Sequence, residues 1–600
     1  FAIVETGATG NAGNMDISAR SLDIRGGAQL IANTSGSGNA GNVTIRARDN
    51  VSIVGASASG LTRSNIASSI RPGATGNGGV LDVETSRFEL LDTAFISVTS
   101  FGDGHGGSLN VRADTVTVRG ASATNELIFG GIFAEVRSPD RISGLGLTGE
   151  ATGQGGSVTL DATDRVAILD GAAISVLTDT TGNAGDLTLR AATVEIGGVV
   201  EIPTASPANP PFNRASISAG AEELGRGGTL RVEADRLIVR DGGRITVGTE
   251  GRGNAGDLTI IARESALIEG VRTITTNGVT LLPSTISASS ENTAIGPASG
   301  NAGALNLIVG DLTLRNGGQI SVNSDNQGST GDLQIQAETI AVLEGGRITA
   351  ESVVGNRGNI QIASDAVQLR RNGRIDANAQ GDATGGNVSI NSETIAALEH
   401  SAISANAITG SGGQIRIQTS GLFLAPDSTI EASSRFGVNG LVAIDAPEAN
   451  NTTGIIDLTA NPFDGDQLIA TACSATSQGG RLTMVGRTGL PDHPISAHRD
   501  SFALVYPQVL TTTDVEPSEY SSARNLEVGQ IEMGEIETGE IIDRPMDSQP
   551  ETHLEAQTWA YDQTGQLQLL AHSPRSPFTP DYGCASSSAN AADRSRSNSR

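Results

Sequence analysis

Lysine is missing from this chain of 600 residues, in which all 39 basic residues are arginine. Aromatic residues make up only 3% of the sequence, with a single Trp, although large aromatic side chains normally anchor a compact globular core. No run of about 18 apolar residues is present, which excludes a membrane-spanning helix. The absence of lysine also excludes the nucleotide-binding loop Gly-x-x-x-x-Gly-Lys. What remains is a long chain whose core consists of Val, Ile, Leu and Ala.

Charge and cysteine content narrow the class of protein further. The 66 acidic residues outnumber the 39 basic ones and give a net charge of −27. An acidic surface disfavours nucleic acid and anionic lipid as partners. The two cysteines, Cys473 and Cys584, fit either one disulfide or two buried thiols. The chain begins at Phe1 without the pattern of a secretory signal, so we expect that a further segment precedes it.

Glycine, in contrast, is abundant and recurs at a regular spacing. The tetrapeptide Gly-Asn-Ala-Gly stands at 10–13, 38–41, 182–185, 253–256 and 300–303, and related sequences fill the intervals. The spacing is mostly 27–28 residues, with four units lengthened, and a period of this size is typical of a solenoid. The last glycine of each unit is the predicted rung corner: Gly13, Gly41, Gly79, Gly107, Gly156, Gly185, Gly228, Gly256, Gly303, Gly331, Gly358, Gly386, Gly413 and Gly440.

Each repeat also shows the two-residue alternation of apolar side chains that is typical of short strands. The second and fourth residues after every corner glycine are aliphatic or Met, as in 43–45, and this is the period of a strand with one buried face. A second alternating pair follows, as in 51–53, and a third comes after a glycine-containing turn, as in 245–247. The pattern therefore predicts three short strands in each repeat.

Three short strands cannot form an isolated sheet, so each repeat must stack on its neighbours. The predicted fold class is all-β, a right-handed parallel β-helix of 27–28-residue rungs with a small C-terminal module. The handedness follows the general rule for parallel crossovers. Strands about 4.8 Å apart give fourteen rungs a length on the order of 70 Å. We expect the corner glycines to supply positive φ, and the neighbouring Asn residues to stack up the ladder. A β-propeller or a leucine-rich solenoid lacks support, because the longer repeats and signatures of those folds are absent.

The lengthened repeats alternate with short ones in the first half of the chain. Their extra residues fall mainly between the second and third strands, near 54–65, 119–131 (with a further run to 151), 197–215 and 269–285. Such insertions often mark a binding face, but they are also tolerated as neutral loops because loop length costs little. The sequence leaves both interpretations open.

The repeat pattern defines the predicted domains. Residues 1–446 form the β-helix rod, and 447–510 are a transitional segment that contains Cys473. Residues 511–552 are acidic and are predicted to be a solvated linker. A terminal β element is predicted at 553–584, with a Gln-Thr-Gly-Gln hairpin turn, and 585–600 form a Ser/Asn/Arg-rich tail.

The motifs resemble those of filamentous-haemagglutinin-like exoproteins. Residues 38–47, Gly-Asn-Ala-Gly-Asn-Val-Thr-Ile-Arg-Ala, are similar to the repeats of that family, as are 242–247. The likeness is to the large cyanobacterial members, often labelled S-layer family proteins. Residues 486–491 resemble their Gly-Arg-Gly-Gly-Leu-Pro signature, with Thr488 departing at the second Gly, and 555–559 resemble their Glu-Ala-Gln-Gly-Trp element. The resemblance covers nearly all of the chain up to Cys584.

The resemblance implies two-partner secretion through an outer-membrane translocator of the TpsB type. That translocator reads an N-terminal secretion domain, whose motifs are not found in this sequence. The implied location is extracellular, or on the outer surface of a Gram-negative-type bacterium, and the implied role is adhesion, aggregation or surface coating. An exported location also favours one disulfide between Cys473 and Cys584.

No motif in the sequence predicts catalysis, a cofactor or a metal centre. Gly104-His105-Gly106 matches a polygalacturonase tripeptide, but it stands at a rung corner, so we predict that His105 is a turn residue. His493 and His498 lack a third candidate ligand. The aspartates after three corner glycines are interpreted as a solvated polar corner rather than a cation site: Asp186, Asp257 and Asp332.

The expected function is that of a secreted or surface-displayed structural adhesin that is not an enzyme. Its expected partners are glycans or proteins of a host or cell surface, with no nucleic acid and no membrane span. Two alternatives stay open: a carbohydrate-active β-helix enzyme, which needs converging carboxylates, and the stalk of a toxin-delivery exoprotein.

Overall fold

The computed structural model describes residues 1–446 except 61, 123–129, 140–150, 203–210, 277, 292–298, 326–327 and 355–357. It also describes the backbone of 558–561 and 567–570. The chain divides into two compact units, Phe1–Ser474 and Ala475–Arg600. The acidic linker, the terminal tail, Cys473, Cys584, His493, His498 and the 486–491 motif lie outside the described residues.

Long and short strands alternate along the first unit. In chain order they are β1 (Met15–Arg25), β2 (Gln29–Ile31), β3 (Val43–Val54), β4 (Asn65–Ala67), β5 (Val80–Leu91), β6 (Phe95–Ser97), β7 (Ser108–Arg119), β8 (Gly131–Phe133), β9 (Ser157–Leu169), β10 (Ala173–Ser175), β11 (Leu187–Gly197), β12 (Val199–Glu201), β13 (Phe212–Arg214), β14 (Ser216–Ser218), β15 (Leu230–Arg240), β16 (Arg244–Thr249), β17 (Leu258–Glu269), β18 (Val271–Ile274), β19 (Thr280–Pro283), β20 (Thr285–Ser290), β21 (Leu305–Arg315), β22 (Gln319–Ser321), β23 (Asp332–Leu343), β24 (Arg347–Thr349), β25 (Asn359–Arg370), β26 (Arg374–Asp376), β27 (Asn387–Ala397), β28 (Ala402–Ser404), β29 (Gln414–Leu424), β30 (Thr429–Glu431) and β31 (Leu441–Asp445).

These strands form two long parallel sheets. The long-strand sheet has 14 strands in the order β1-β3-β5-β7-β9-β11-β15-β17-β21-β23-β25-β27-β29-β31. The short-strand sheet has 13, in the order β2-β4-β6-β8-β10-β14-β16-β20-β22-β24-β26-β28-β30. A third side carries parallel bridges of single residues, such as Thr34 to Ile70 and Ile70 to Ser100. The predicted parallel β-helix is thus confirmed, and we number its rungs 1 to 14 by their long strands.

The prediction of three short strands per rung was wrong in one respect. The first two predicted strands are a single element, as in β3, whose residues Val43–Val54 span both alternating segments. Many of the ladders shift register in the middle of this element, for example between Ala47 and Asn50. An irregularity of this kind changes the alternation without ending the strand, which is why the sequence pattern resembles two strands.

The core is a stack of aliphatic side chains between the two sheets. Ile45, Ile53 and Ile66 of rung 2 are fully buried, and their equivalents in neighbouring rungs continue the same columns. Phe88 is the one aromatic side chain in the buried core of the described residues. Hydroxyl groups complete the third side, because Thr34, Ser100 and Thr178 each donate to the carbonyl oxygen four residues later, at 2.5, 2.6 and 2.7 Å.

The corner glycines stack as predicted, but the expected reason for them was wrong. None of the fourteen has a positive φ. A Cβ at Gly41 would instead overlap the carbonyl oxygen of Gly13 in the rung below, and the same holds up the column at Gly79 and Gly107. The backbones of consecutive rungs therefore approach too closely for a side chain. Positive φ is found at a different corner, between the long and short strands, as at Gly242 and Gly345.

The second unit is described only at one antiparallel pair of strands. Strand β32 (Thr558–Tyr561) pairs with β33 (Leu567–Leu570), with Thr558 opposite Leu570. These strands lie where the sequence predicts the two arms of a hairpin. The predicted boundaries of the C-terminal segments stay predictions.

Candidate functional site

His105 takes the place of an asparagine in a polar column at the rung corner. The Oδ1 of Asn11 accepts a hydrogen bond from the backbone N–H of Asn39 (2.9 Å), and Asn39 accepts from Asn77 in the same way (2.9 Å). The N–H of His105 donates to Asn77 Oδ1 (2.9 Å), and His105 Nδ1 accepts from the N–H of Gln154 (3.0 Å). The imidazole Nδ1 thus accepts the same hydrogen bond between rungs that an asparagine Oδ1 accepts elsewhere in the column. This position at the rung corner agrees with the prediction that His105 is a turn residue.

The three aspartates that follow corner glycines also connect rungs. Asp186 Oδ1 accepts from the N–H and the hydroxyl of Thr229, at 2.9 and 2.7 Å. Asp257 accepts from the backbone of the next rung (3.0 Å), and Asp332 accepts from the side-chain amide of Asn359 (2.7 Å). Within the described part of the chain, no three His, Cys, Asp or Glu side chains are grouped so that they could hold a metal ion.

A different set of acidic residues, which the sequence analysis missed, lies beside the short-strand sheet. The bridged residues Thr178, Ala221, Thr249, Ser290 and Ser324 stack on consecutive rungs, 5 to 9. The residue after each of them is acidic. We call these five residues the acid column: Asp179, Glu222, Glu250, Glu291 and Asp325.

A groove runs along the acid column. Its first part, a concavity of about 70 Å³, is lined by Glu222, Glu250 and Glu291 together with Arg244 and Thr246. A second part, of about 250 Å³, shares Arg244 and Glu291 with the first and continues to Asp325. The groove therefore has carboxylates and the guanidinium groups of Arg214 and Arg244 among its lining groups.

Two glycines widen the floor of this groove. Gly220 and Gly248 are on consecutive rungs, at a position where other rungs carry larger side chains, such as Asn323 and Glu351. Neither glycine has a positive φ, and a Cβ at Gly248 would come no closer than 3.3 Å to another atom. The stacking of the backbone therefore does not demand glycine at Gly248, unlike at the corner column. The missing side chains leave room above the sheet.

The negative charge of the acid column is partly offset by Arg137 at one end. At one end, Arg137 lies 2.9 Å from Glu135, 3.5 Å from Asp179 and 3.6 Å from Glu222. Burial is the main cause that raises the pKa of Glu222 to about 7; Arg137 opposes the rise, and the acidic neighbours, Glu250 first, add to it. Desolvation, followed by the charge of Glu291, raises the pKa of Glu250. Rungs 6 and 7 thus hold carboxyl groups that bind their protons more tightly than usual.

This arrangement predicts that pH affects stability through Glu222. Its pKa rises from 4.5 to about 7 on folding, so the folded state holds this proton where the unfolded state has lost it. The stabilising contribution is fully present below about pH 4.5 and is lost as the pH rises through 7. We expect Glu222→Gln to flatten the fall in melting temperature between these pH values. Glu84→Gln, an exposed change on the long-strand sheet, is the control. Equal slopes for the Glu222→Gln variant and the parent would contradict the expectation.

Two hairpins project beside the groove. They join the long and short strands of rungs 6 and 8, where the sequence analysis places insertions, and they pair as β12–β13 and β18–β19. Glu201 of the first hairpin lies 3.7 Å from Arg272 of the second. Arg214 donates to the carbonyl oxygens of Gly242 and Pro283, both at 2.8 Å. These contacts join the described parts of the two insertions to each other.

The second hairpin also exposes apolar surface. Val279 is 76% exposed and Leu281 is 63% exposed, whereas Ile274 and Leu282 of the same hairpin are buried. The hairpin thus has its own small buried side and an apolar outer side. This stretch of the rod thus carries both the polar groove on rungs 5 to 9 and an exposed apolar hairpin.

Comparison with protein-family models, with curated proteins and with solved structures finds no match to this chain. The resemblance to filamentous-haemagglutinin-like exoproteins therefore stays a prediction from the motifs. In the part of the chain that the structure describes, no helix is long and apolar enough to cross a membrane.

Proposed function

We propose that this chain is the rod of a secreted or surface-displayed structural exoprotein that acts as an adhesin. The observation that carries the proposal is the regular parallel stacking over fourteen rungs, which holds the groove on rungs 5 to 9 and two joined hairpins at fixed positions. A rod of this kind works by holding surfaces in place and at a distance. Its location on the cell exterior, and its export through a two-partner translocator, belong to the same proposal.

The proposed binding face is the groove on rungs 5 to 9. Carboxylates such as Glu250 and Glu291 accept hydrogen bonds, and Arg244 donates them, so the groove is suited to a ligand rich in hydroxyl groups. A surface glycan has this chemistry. Successive rungs repeat the same kinds of group at the spacing of a parallel sheet, about 4.8 Å. An extended ligand would therefore meet several weak contacts rather than one deep pocket.

The test uses the full chain on beads, with a glycan array and a bead-aggregation assay. We expect binding to cell-surface glycans, and we expect Glu250→Arg with Glu291→Arg to weaken it roughly tenfold or more. The matched control is Glu84→Arg with Glu89→Arg on the long-strand sheet, which should leave binding unchanged. A full chain that neither binds nor aggregates would contradict adhesion. Equal loss in both double variants would contradict the groove as the binding face.

A second candidate function is cleavage of a polysaccharide, and Glu222 is the observation that favours it. A carboxyl group with a pKa of about 7 in a groove can act as a general acid near neutral pH. Release of reducing ends from polysaccharides would support this candidate if Glu222→Gln abolished it. A parent chain that binds glycans without releasing reducing ends would leave adhesion as the function.

A further inference from the structure

The outward face of the long-strand sheet carries a column in which the sign of charge alternates from rung to rung. Its members follow the second buried residue of each long strand, as Arg46 follows Ile45 in β3. On rungs 2 to 7 these residues are direct ladder neighbours. We call them the charge ladder: Arg46, Glu84, Arg112, Asp161, Arg190 and Glu233. Uncharged residues border it on both sides, Ser18 on rung 1 and Ile261 on rung 8.

Only part of this charge is neutralised within the molecule. Arg190 lies 3.4 and 3.5 Å from its two acidic neighbours in the ladder. In the part of the chain that the structure describes, Arg46, Glu84 and Arg112 make no ion pair, and all three are exposed. The ladder as a whole has no net charge, although the chain carries −27. Contact between two copies through this ladder therefore avoids much of the repulsion between like surfaces.

The order of the signs selects one way for a second copy to face this sheet. With a two-fold axis along the strands, between rungs 4 and 5, the copies are antiparallel, and rungs 2, 3 and 4 face rungs 7, 6 and 5. All six contacts then join opposite charges, beginning with Arg46 of one copy and Glu233 of the other. In a parallel pair each residue would face its own equivalent, so all contacts would join like charges. A slip of one rung in the antiparallel pair also brings like charges together.

The column beside the charge ladder permits the same arrangement. On rungs 2 to 7 it consists of Thr44, Asp82, Asn110, Thr159, Thr188 and Arg231. In the antiparallel pair Asp82 faces Thr188 and Arg231 faces Thr44, so neither charge meets a like charge. The first halves of six strands measure about 16 by 30 Å, roughly 500 Å² per copy, which is below the ~800 Å² of a standard interface. The contact is therefore weak and, because salt screens exposed ion pairs, dependent on ionic strength.

We propose that two copies of this chain associate antiparallel through their charge ladders. Rods displayed on two facing surfaces point towards each other, so antiparallel contact is the arrangement in which they overlap. Many weak contacts between the same two surfaces add up to a firm attachment. This role in aggregation rests on the proposed adhesin function, whereas the self-association itself does not. It uses neither the groove nor the hairpins.

Two charge swaps in the full chain separate this pairing from a general effect of charge. Asp161→Arg with Arg190→Asp places like charges opposite each other between rungs 3 and 6 and between rungs 4 and 5. Arg112→Asp with Asp161→Arg exchanges two residues that face each other, so every contact stays complementary. Both swaps keep the net charge, and both create two like-charged neighbours within the ladder. Each also removes one of the two ion pairs of Arg190, so their effects on folding are matched.

Sedimentation equilibrium of the purified chain, with no glycan present, measures the dissociation constant. We expect the parent to self-associate at about 50 mM NaCl and to bind about tenfold more weakly at about 500 mM. The 161/190 swap should weaken association by about tenfold or more, and the 112/161 swap by less than about threefold. Equal loss in both swaps would overturn the proposal, and so would a parent that stays monomeric at about 200 μM. Failure of glycan binding would leave these results unchanged.

Cross-linking tests the orientation of the two copies. With Cys473→Ser and Cys584→Ser, the substitutions Thr44→Cys and Arg231→Cys are combined, and the full chain is treated with a short bismaleimide. Packed sheets lie about 10 Å apart, whereas positions 44 and 231 of one chain are separated by five rungs, about 24 Å. We expect dimers linked from 44 to 231, detected by peptide mapping. Dimers linked from 44 to 44, or the absence of a 44–231 link where the parent associates, would contradict antiparallel pairing.

Discussion

Replacing Gly185 by alanine is expected to lower the free energy of unfolding by about 3 kcal/mol or more. A Cβ at this position would overlap the carbonyl oxygen of Gly156 in the rung below. The overlapping atoms belong to the backbone, so no side chain can rotate away. To relieve the overlap, β9 and β11 must move apart. This movement weakens the hydrogen bonds of their parallel ladder on both sides of the changed residue. Urea unfolding, with hydrogen exchange of peptides from β9, β11 and β15, measures the effect.

Gly13 supplies the control from the same column. It is the first corner glycine, and a Cβ there would meet nothing within 4 Å. We expect Gly13→Ala to change the free energy of unfolding by less than about 0.5 kcal/mol. If Gly13→Ala and Gly185→Ala destabilise the protein equally, the close approach of stacked rungs is not the reason for glycine in this column.

The corner glycines show which features of the fold could be predicted from the sequence and which could not. Their spacing located every rung, because a close approach that recurs from rung to rung leaves a residue of one kind at the same corner of each repeat. The spacing could not distinguish close approach from positive φ, because both exclude a Cβ and both select glycine. Only the stacked backbone of Gly13, Gly41 and Gly79 separates the two causes. The irregularities within the long strands were not predicted, for a similar reason. In the sequence, a shift in the alternation of apolar and polar residues looks the same as the end of a strand.

The acid column was missed although the signal for it is in the sequence. Its members are separated by 28 to 43 residues, because some of the rungs contain insertions between their long and short strands. Repeats aligned on the corner glycine lose their register after each insertion. Alignment on the short strand instead, for example on Ile217 and Ile245, places Glu222 and Glu250 at the same position, five residues later. The groove itself depends on the absence of side chains at Gly220 and Gly248, which no motif marks.

Truncation of Phe88 to alanine is the second change with a large expected effect, about 3–5 kcal/mol in the free energy of unfolding. Phe88 is fully buried in β5, and its ladder neighbours are Val51 below and Val116 above. A phenylalanine between two valines fills space that neither neighbour can reach. Their β-branched side chains have few rotamers, so the cavity stays open. Urea unfolding of the full chain measures the loss, and Phe88→Leu, which leaves a smaller cavity, should lose less.

The effect of Phe88→Ala should also be local. Each rung of a solenoid contacts only its neighbours, so stability is close to a sum of rung and interface contributions. Hydrogen exchange is therefore expected to accelerate in β3, β5 and β7, while β27 in rung 12 keeps the exchange rate of the parent. Equal acceleration in rungs 3 and 12 would mean that the rod unfolds as one unit. Loss of protection confined to the neighbouring rungs would mean that a change in one rung leaves distant rungs as stable as before. The side chains of the groove on rungs 5 to 9 could then change without weakening the ends of the rod. A binding face could vary in this way while the rest of the rod stays constant.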